Sequence, residues 1–234
     1  MGFRADQIGA QRVQSPQKTR VNHPKRRLSD SWRVLRVGAY LLKRPQDIGP
    51  YLRYGASTQK SPLDLGKPWW SFGAVTALEK RLRPHMTAFE FGSGGSSVFL
   101  GERVGSLVCV EDETEWTDLV RASAQQRGLK NVQVLHRHFD FWKTEDFKQS
   151  DYLRSIEGAK YDVIVVDGKE WSDQVRDICF WHAENFIKPG GLIVVDDSWR
   201  YPQVKAKNKA VRWTDYKGTG FCRAGVTSTC IFEY

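Results

Sequence analysis

The stretch Thr87–Ser97, TAFEFGSGGSS, is a short apolar run that ends in an acid and breaks at once into closely spaced glycines. That is the outline of a strand feeding a turn that binds a phosphate or a nucleoside. Gly92, Gly94 and Gly95 can take backbone angles closed to other residues and admit a ligand close to the main chain. Ser96 and Ser97 are suited to cap the helix expected next. The following acid at the end of an expected strand is Glu111, in SLVCVE, 19 residues beyond Gly92. In nucleotide-binding βαβ units an acid roughly 20 residues on hydrogen-bonds the ribose hydroxyls.

The dinucleotide fingerprint G-x-G-x-x-G would place glycine at position 97, where this chain has Ser97. Read from the acid instead, Glu90-Phe91-Gly92-Ser93-Gly94-Gly95-Ser96 resembles the E/D-x-G-x-G-x-G signature of class I S-adenosylmethionine-dependent methyltransferases, with Ser96 in place of the last glycine. YDVIVVDG and KPGGLIVVDDS look like the fourth and fifth strands of that family, and the closest pattern is that of small O-methyltransferases. The resemblance implies an α/β, Rossmann-like, seven-stranded and mostly parallel sheet with a C-terminal antiparallel hairpin. It implies S-adenosyl-L-methionine as cofactor, held by Glu90, Gly92, Ser93, Gly94, Gly95 and Ser96, with Glu111 on the ribose, Asp140 of RHFDFW on the adenine amino group, and Asp167 beside them.

The 234 residues suffice for one well-buried domain plus an appendage. A hydrophobic content of 40% and a charged content of 27% are those of a soluble globular protein. No apolar run approaches the roughly 18 residues that cross a bilayer, and the polar start MGFRADQIGAQR is not a secretory signal, so a cytoplasmic address is expected. Cys109, Cys179, Cys222 and Cys230 lack CxxC spacing and read as reduced residues rather than a disulfide frame or zinc site.

The net charge of +9 is unevenly spread: residues 1–60 hold 13 Lys/Arg against 3 Asp, which leaves residues 61–234 close to neutral. The expected division is a basic N-terminal tail and helical appendage over 1–66 and a cofactor-binding domain over 67–234. Residues 1–27 are too polar to bury a core and read as a tail. Ser29-Asp30-Ser31 offers N-caps to a basic, amphipathic helix, SWRVLRVGAYLLKR, that stops before Pro45. Such a helix either packs on the catalytic domain beside its cleft or lies on an anionic membrane surface. Strands are expected at 87–91, 106–111, 131–135, 161–167 and 191–196, with helices near 96–103, 114–127 and 172–187; this alternation implies a parallel sheet. GFCRAGVTSTCIFEY reads as two strands joined by a turn at Ala224-Gly225.

Ligands of open α/β sheets gather at the carboxyl ends of the strands, where Glu90, Glu111, Asp167, Asp196 and Asp197 all fall. Asp167, Asp196 and Asp197 would repel one another unless a cation sat among them, and Mg²⁺ suits oxygen ligands. VDG followed by PGGLIVVDD is similar to metal-dependent O-methyltransferases of sugars and catechols, in which the equivalent acids bind Mg²⁺. Asp167 and Lys169 are then the candidate catalytic groups, Lys169 as a base that loses its proton near neutral pH beside a cation. His136, His138 and His182 are alternative bases, and Trp69, Trp70, Trp171 and Trp199 flank strand-end loops where rings could stack on a sugar or planar acceptor. The expected activity is methyl transfer to a hydroxyl of a small-molecule, sugar or glycolipid-like acceptor. The rivals are a nucleic-acid methyltransferase using the basic tail, an NAD-dependent oxidoreductase, and a non-catalytic binding module.

Overall fold

The structure is a computed structural model, and it describes residues 25–55, 60–141, 145–169 and 175–234. Strands β1 (Thr87–Phe91), β2 (Ser106–Glu111), β3 (Val132–His136), β4 (Tyr161–Val166), β5 (Ile187–Asp196), β6 (Arg212–Gly218) and β7 (Thr227–Glu233) form one sheet in the order β3-β2-β1-β4-β5-β7-β6. The first five run parallel, and β7 is antiparallel to both of its neighbours. The chain order reverses between β1 and β4, which opens a crevice at the carboxyl end of β1.

Central strands read as unbroken apolar runs because both faces are covered. On one face Phe89, Phe91, Ile164, Val166, Ile193 and Val195 pack under α7 (Asp151–Arg154), α8 (Val175–Ala183) and α9 (Pro202–Ala206). On the other, Ala88, Leu107, Cys109, Val163, Val165 and Val194 meet α4 (Phe72–Glu79), α5 (Gly95–Gly101) and α6 (Thr114–Gln126). The four cysteines are free thiols.

The N-terminal part differs from the sequence expectation. Helix α1 spans Lys25–Lys43, so Lys25, Arg26 and Arg27 belong to the helix and Ser29–Ser31 lie within it rather than capping it. Residues 1–24 lie outside the described residues, as do residues 170–174, which cover the expected start of α8 and Trp171. After α1 come α2 (Ile48–Tyr54) and α3 (Pro62–Leu65). Val37 of α1 is buried, Tyr40 Oη donates to Asp47 Oδ2 (2.6 Å), and Tyr51 and Tyr54 of α2 pack on the second core cluster.

The C-terminal hairpin is present but is built from other residues than expected. Its first strand is β6, RWTDYKG, and Gly220–Arg223 belong to the connection to β7. Most side chains of β6 are exposed, so this edge strand lacks the apolar alternation that would announce it.

Gly95 shows how tightly the parts fit. A Cβ there would stand 2.2 Å from the Lys67 carbonyl oxygen and 2.4 Å from that of Pro62. Gly95→Ala is therefore expected to destabilise the fold by about 1–3 kcal/mol, the usual scale of overpacking. A urea midpoint equal to that of the parent would contradict this packing.

Candidate active site

The cleft begins at the turn after β1. Gly92 has φ +89°, and a Cβ would stand 2.8 Å from Gly168 Cα, so the turn closes against the β4 end only with glycine. Glu90 is fully buried beneath the turn. Its Oε2 accepts from Ser97 Oγ (2.5 Å), while that hydroxyl oxygen accepts from the Gly94 N–H (3.0 Å). Glu90, expected among the cofactor-binding residues, thus reaches the turn through Ser97 and does not itself line the cavity. Burial pushes its carboxyl up to about 7.

Glu111, at the end of β2, is buried but lines the cavity with Gly92–Ser96. Its Oε2 accepts from Ser93 Oγ (2.8 Å), and Oε1 accepts from the N–H groups of Asp112 (3.0 Å) and Glu113 (3.3 Å). Burial, opposed by these bonds, raises its pKa to about 7. Trp116, which the sequence reading missed, donates from Nε1 to the Ser93 carbonyl (2.8 Å) and forms part of the wall. Its position on α6, just after β2, was the available signal.

Three cavities follow one another along the strand ends. The first, about 520 Å³, is lined by Asp112, Glu113, His138, Asp140 and Lys169 among others. The second, about 490 Å³, holds the glycine turn, Glu111, Asp167 and Arg176. The third, about 550 Å³, lies between Trp69, Trp199 and Arg223. Asp112, Glu113 and Lys169 border both the first and the second; Trp69, Asp197 and Arg223 border both the second and the third.

Lys169 does not fit the expected base. Its Nζ lies 2.6 Å from Glu113 Oε1 and 3.2 Å from Asp112 Oδ2, spanning from the β4 end to the β2 end. Burial alone would lower its pKa, but these carboxylates outweigh it and raise the pKa, so the ammonium is retained.

The acid triplet is gathered as expected, but the cations among its members are guanidinium groups. Arg223 donates from Nη2 to Asp196 Oδ2 (2.6 Å) and from Nη1 to Asp197 Oδ1 (3.0 Å). Arg176 Nη2 lies 3.2 Å from Asp167 Oδ1, and Trp70 Nε1 donates to Asp167 Oδ2 (3.0 Å). Thr229 and Thr227 hydroxyls donate to Asp196 and Asp197, each at 2.6 Å. Asp196 is buried under the site, whereas Asp197 reaches the cleft because its backbone is left-handed, with φ 50°. No group of three or more His, Cys, Asp and Glu side chains among the described residues is arranged to hold a metal. The donor set does not fit Mg²⁺, because both oxygens of Asp167 and of Asp196 and Oδ1 of Asp197 are engaged by guanidinium groups, an indole N–H and hydroxyls.

Burial and the Asp167 charge push Asp196 up, opposed by Arg223. Burial likewise raises Asp167, against Arg176 and Trp70. At Asp197 burial is outweighed by Arg223 and Thr227, and the carboxyl is held below its ordinary value. His136 bonds to Thr114 Oγ1 and the Asp112 carbonyl, and His182 lines a separate cavity with Trp181. His138 borders only the first of the three cavities, away from Asp197. Of the tryptophans, Trp70 is buried on Asp167, while Trp69 and Trp199 stand 51% and 61% exposed.

Residues 89–198, from β1 through the β5 end, match the model of a methyltransferase domain. The match covers 110 of the 234 residues and gives this chain a methyltransferase domain. The fold of this methyltransferase recurs in solved structures. The O-methyltransferase TomG from Streptomyces achromogenes, in complex with SAM, shares 19% identity over 74% of this chain and 89% of its own, with a TM-score of 0.54. An O-methyltransferase from Bacillus cereus, in complex with SAH, shares 16% over 82% and 89%, with a TM-score of 0.54. An rRNA methylase from Streptococcus thermophilus shares 9% over 76% and 99%, with a TM-score of 0.52. No curated protein matches this methyltransferase. The fold is therefore shared across different acceptors, and the acceptor must be argued from the site.

The buried acid gives a pH prediction. The Glu90 carboxyl titrates near 7 in the folded chain and near 4.5 when exposed, so the folded state holds the extra proton between those values. Its contribution to stability is complete below about 4.5 and is lost as pH rises through 7, at most about 1.4 kcal/mol per pH unit. Glu90→Gln should flatten that part of the stability profile, measured by denaturant unfolding across pH; an unchanged slope would contradict the assignment.

Proposed function

We propose that the chain transfers a methyl group from S-adenosyl-L-methionine to a hydroxyl of a small-molecule, sugar or glycolipid-like acceptor, without a metal ion. The observation that carries this reading is the row of three joined cavities, with Glu111 in the middle one and Asp197 beside Arg223 where the second opens into the third. Residues 67–234 are the proposed catalytic domain and residues 1–66 its appendage.

The cofactor supplies an electrophilic methyl carbon on a sulfonium. Glu111 accepts its ribose hydroxyls in this reading, Asp140 receives the adenine amino group in the first cavity, and the backbone of Gly92–Ser96 packs against the remainder. Glu90, through Ser97, keeps that backbone in place. Asp167 borders the cofactor cavity but not the third, so it positions Arg176 and Trp70 and faces the cofactor. In this reading Asp197, which borders both cavities, takes the acceptor's hydroxyl proton. The Arg223 guanidinium next to it favours the deprotonated acceptor oxygen, as any near positive charge does. Lys169 ties the two walls of the cofactor cavity together.

The appendage carries a second proposal about surroundings. Leu35 and Leu42, seven residues apart on α1, are exposed together with Val34 and with Leu52 of α2, close to Arg36, Lys43 and Arg53. An apolar stripe among cations suits an anionic membrane surface. No helix among the described residues is long and apolar enough to cross a membrane. Sedimentation with phosphatidylserine vesicles should retain the chain and release Leu35→Asp/Leu42→Asp; equal retention of both would count against a membrane foot.

Calorimetric titration with S-adenosylmethionine, S-adenosylhomocysteine and NADH tests the cofactor. The two adenosyl ligands should bind with or without EDTA, and Glu111→Ala should weaken them at least about tenfold, the loss of one good charged hydrogen bond. Binding of NADH alone would favour an oxidoreductase. A mass-spectrometric screen of phenolic and sugar hydroxyls should then find transfer that persists in EDTA and falls by about a hundredfold or more in Asp197→Asn, the lower range for losing a positioned base. Transfer abolished by EDTA would overturn the metal-free reading.

A further inference from the structure

The three cavities differ sharply in charge. The first is acidic, with Asp112, Glu113, Glu115 and Asp140 against Lys169. The third carries Arg36, Arg200 and Arg223 against Asp197. A further cavity of about 300 Å³ continues it, sharing Arg36, Trp199, Val226 and Thr227 and adding Lys205 and Lys217 against Asp215. Five cationic side chains thus line one continuous groove with two carboxylates, and the groove stays net positive when the buried Asp196 behind Arg223 is counted.

Its aromatic residues are arranged with the same logic. Trp199 stands 61% exposed where the two parts of the groove meet, with the Arg200 guanidinium 5.2 Å from its ring centre. Trp69 stands at the mouth toward the cofactor cavity, with Arg223 4.9 Å from its ring centre. Exposed indoles beside guanidinium groups offer a flat apolar surface with adjacent anion donors. Trp199, Arg36, Arg200, Lys205 and Lys217 line the groove without bordering the cavity assigned to the cofactor, whereas Trp69 and Arg223 stand at the boundary between the two.

We propose that this groove is the acceptor site and that it takes an acceptor with a ring bearing an anionic group, a phosphate or carboxylate. The ring lies against Trp199, the anion is held between Arg36 at the junction and Lys217 in the far part, and the hydroxyl to be methylated points toward Asp197 and Arg223. This identifies the acceptor class for the activity proposed above and rests on that reading. Arg36 lies on α1, so the N-terminal helix contributes directly to acceptor recognition. The acidic first cavity and basic groove also set up a field along the cleft that draws the anion to the acceptor end.

Phenyl phosphate, phenol and inorganic phosphate are suitable probes, titrated calorimetrically into the full chain with and without saturating S-adenosylhomocysteine. Phenyl phosphate should bind at least tenfold more tightly than either fragment, and its affinity should fall as salt is raised. Lys217→Ala and Arg36→Ala should each weaken phenyl phosphate severalfold and leave phenol unchanged, while Trp199→Ala should weaken both ring compounds. All three side chains are exposed, and none is placed in the cofactor site. The proposal is overturned if phenyl phosphate fails to bind, if phenol binds equally well, or if the variants retain the parent's preference. S-Adenosylhomocysteine binding is read separately: its absence would remove the methyltransferase reading while the groove's preference stood or fell on the probes.

Discussion

Four carboxylates, Glu90, Asp167, Asp196 and Asp197, meet under the carboxyl ends of the adjacent strands β1, β4 and β5, and the fold can close there only if their repulsion is relieved. The means differ by depth. Glu90, fully buried without a cation among its bonded partners, is pushed toward the protonated form. Asp167 is held by Arg176 and Trp70, and Asp196 with Asp197 by one guanidinium, Arg223, backed by two threonines of β7. The C-terminal strand is therefore part of the site's electrostatics as well as of the sheet.

That arrangement ties structure to function through the connection between β6 and β7. Arg223 sits on it, borders the cofactor cavity and the groove, and contacts Trp69 on the opposite wall. Its Nε also donates to the Trp69 carbonyl (2.5 Å). One residue thus fixes the acid cluster and both walls of the passage through which a methyl group would pass. The α1 helix adds Arg36 from outside the sheet, which puts one residue of the basic N-terminal segment in the wall of the proposed acceptor groove.

Much of this was legible in the sequence because it is local. The run from Thr87 to Ser97 specifies strand, glycine turn and helix by neighbouring residues alone, and Glu111 follows at a fixed spacing. Strands β1, β2, β4 and β5 show as apolar runs because burial on both faces leaves no alternation. The acid triplet was expected to gather around a Mg²⁺ ion, and guanidinium groups lie among its members instead. What stayed hidden depends on contacts distant in sequence: Arg223 is 27 residues from Asp196, and the carboxylates that hold the Lys169 proton are 56 and 57 residues away. β6 escaped notice because an exposed edge strand has no apolar face to mark it, and Trp116 because one indole on a helix does not declare which wall it joins.

In the proposed reaction, guanidinium groups take the place a divalent ion would hold beside the acceptor oxygen. The most direct test of this is a crystal structure of the S-adenosylhomocysteine complex grown in excess Mg²⁺. The expected complex has the ribose hydroxyls on Glu111, and Arg223 still bonded to both Asp196 and Asp197 at distances near the present 2.6 and 3.0 Å. A Mg²⁺ ion coordinated by Asp167, Asp196 and Asp197, with Arg223 displaced, would contradict it.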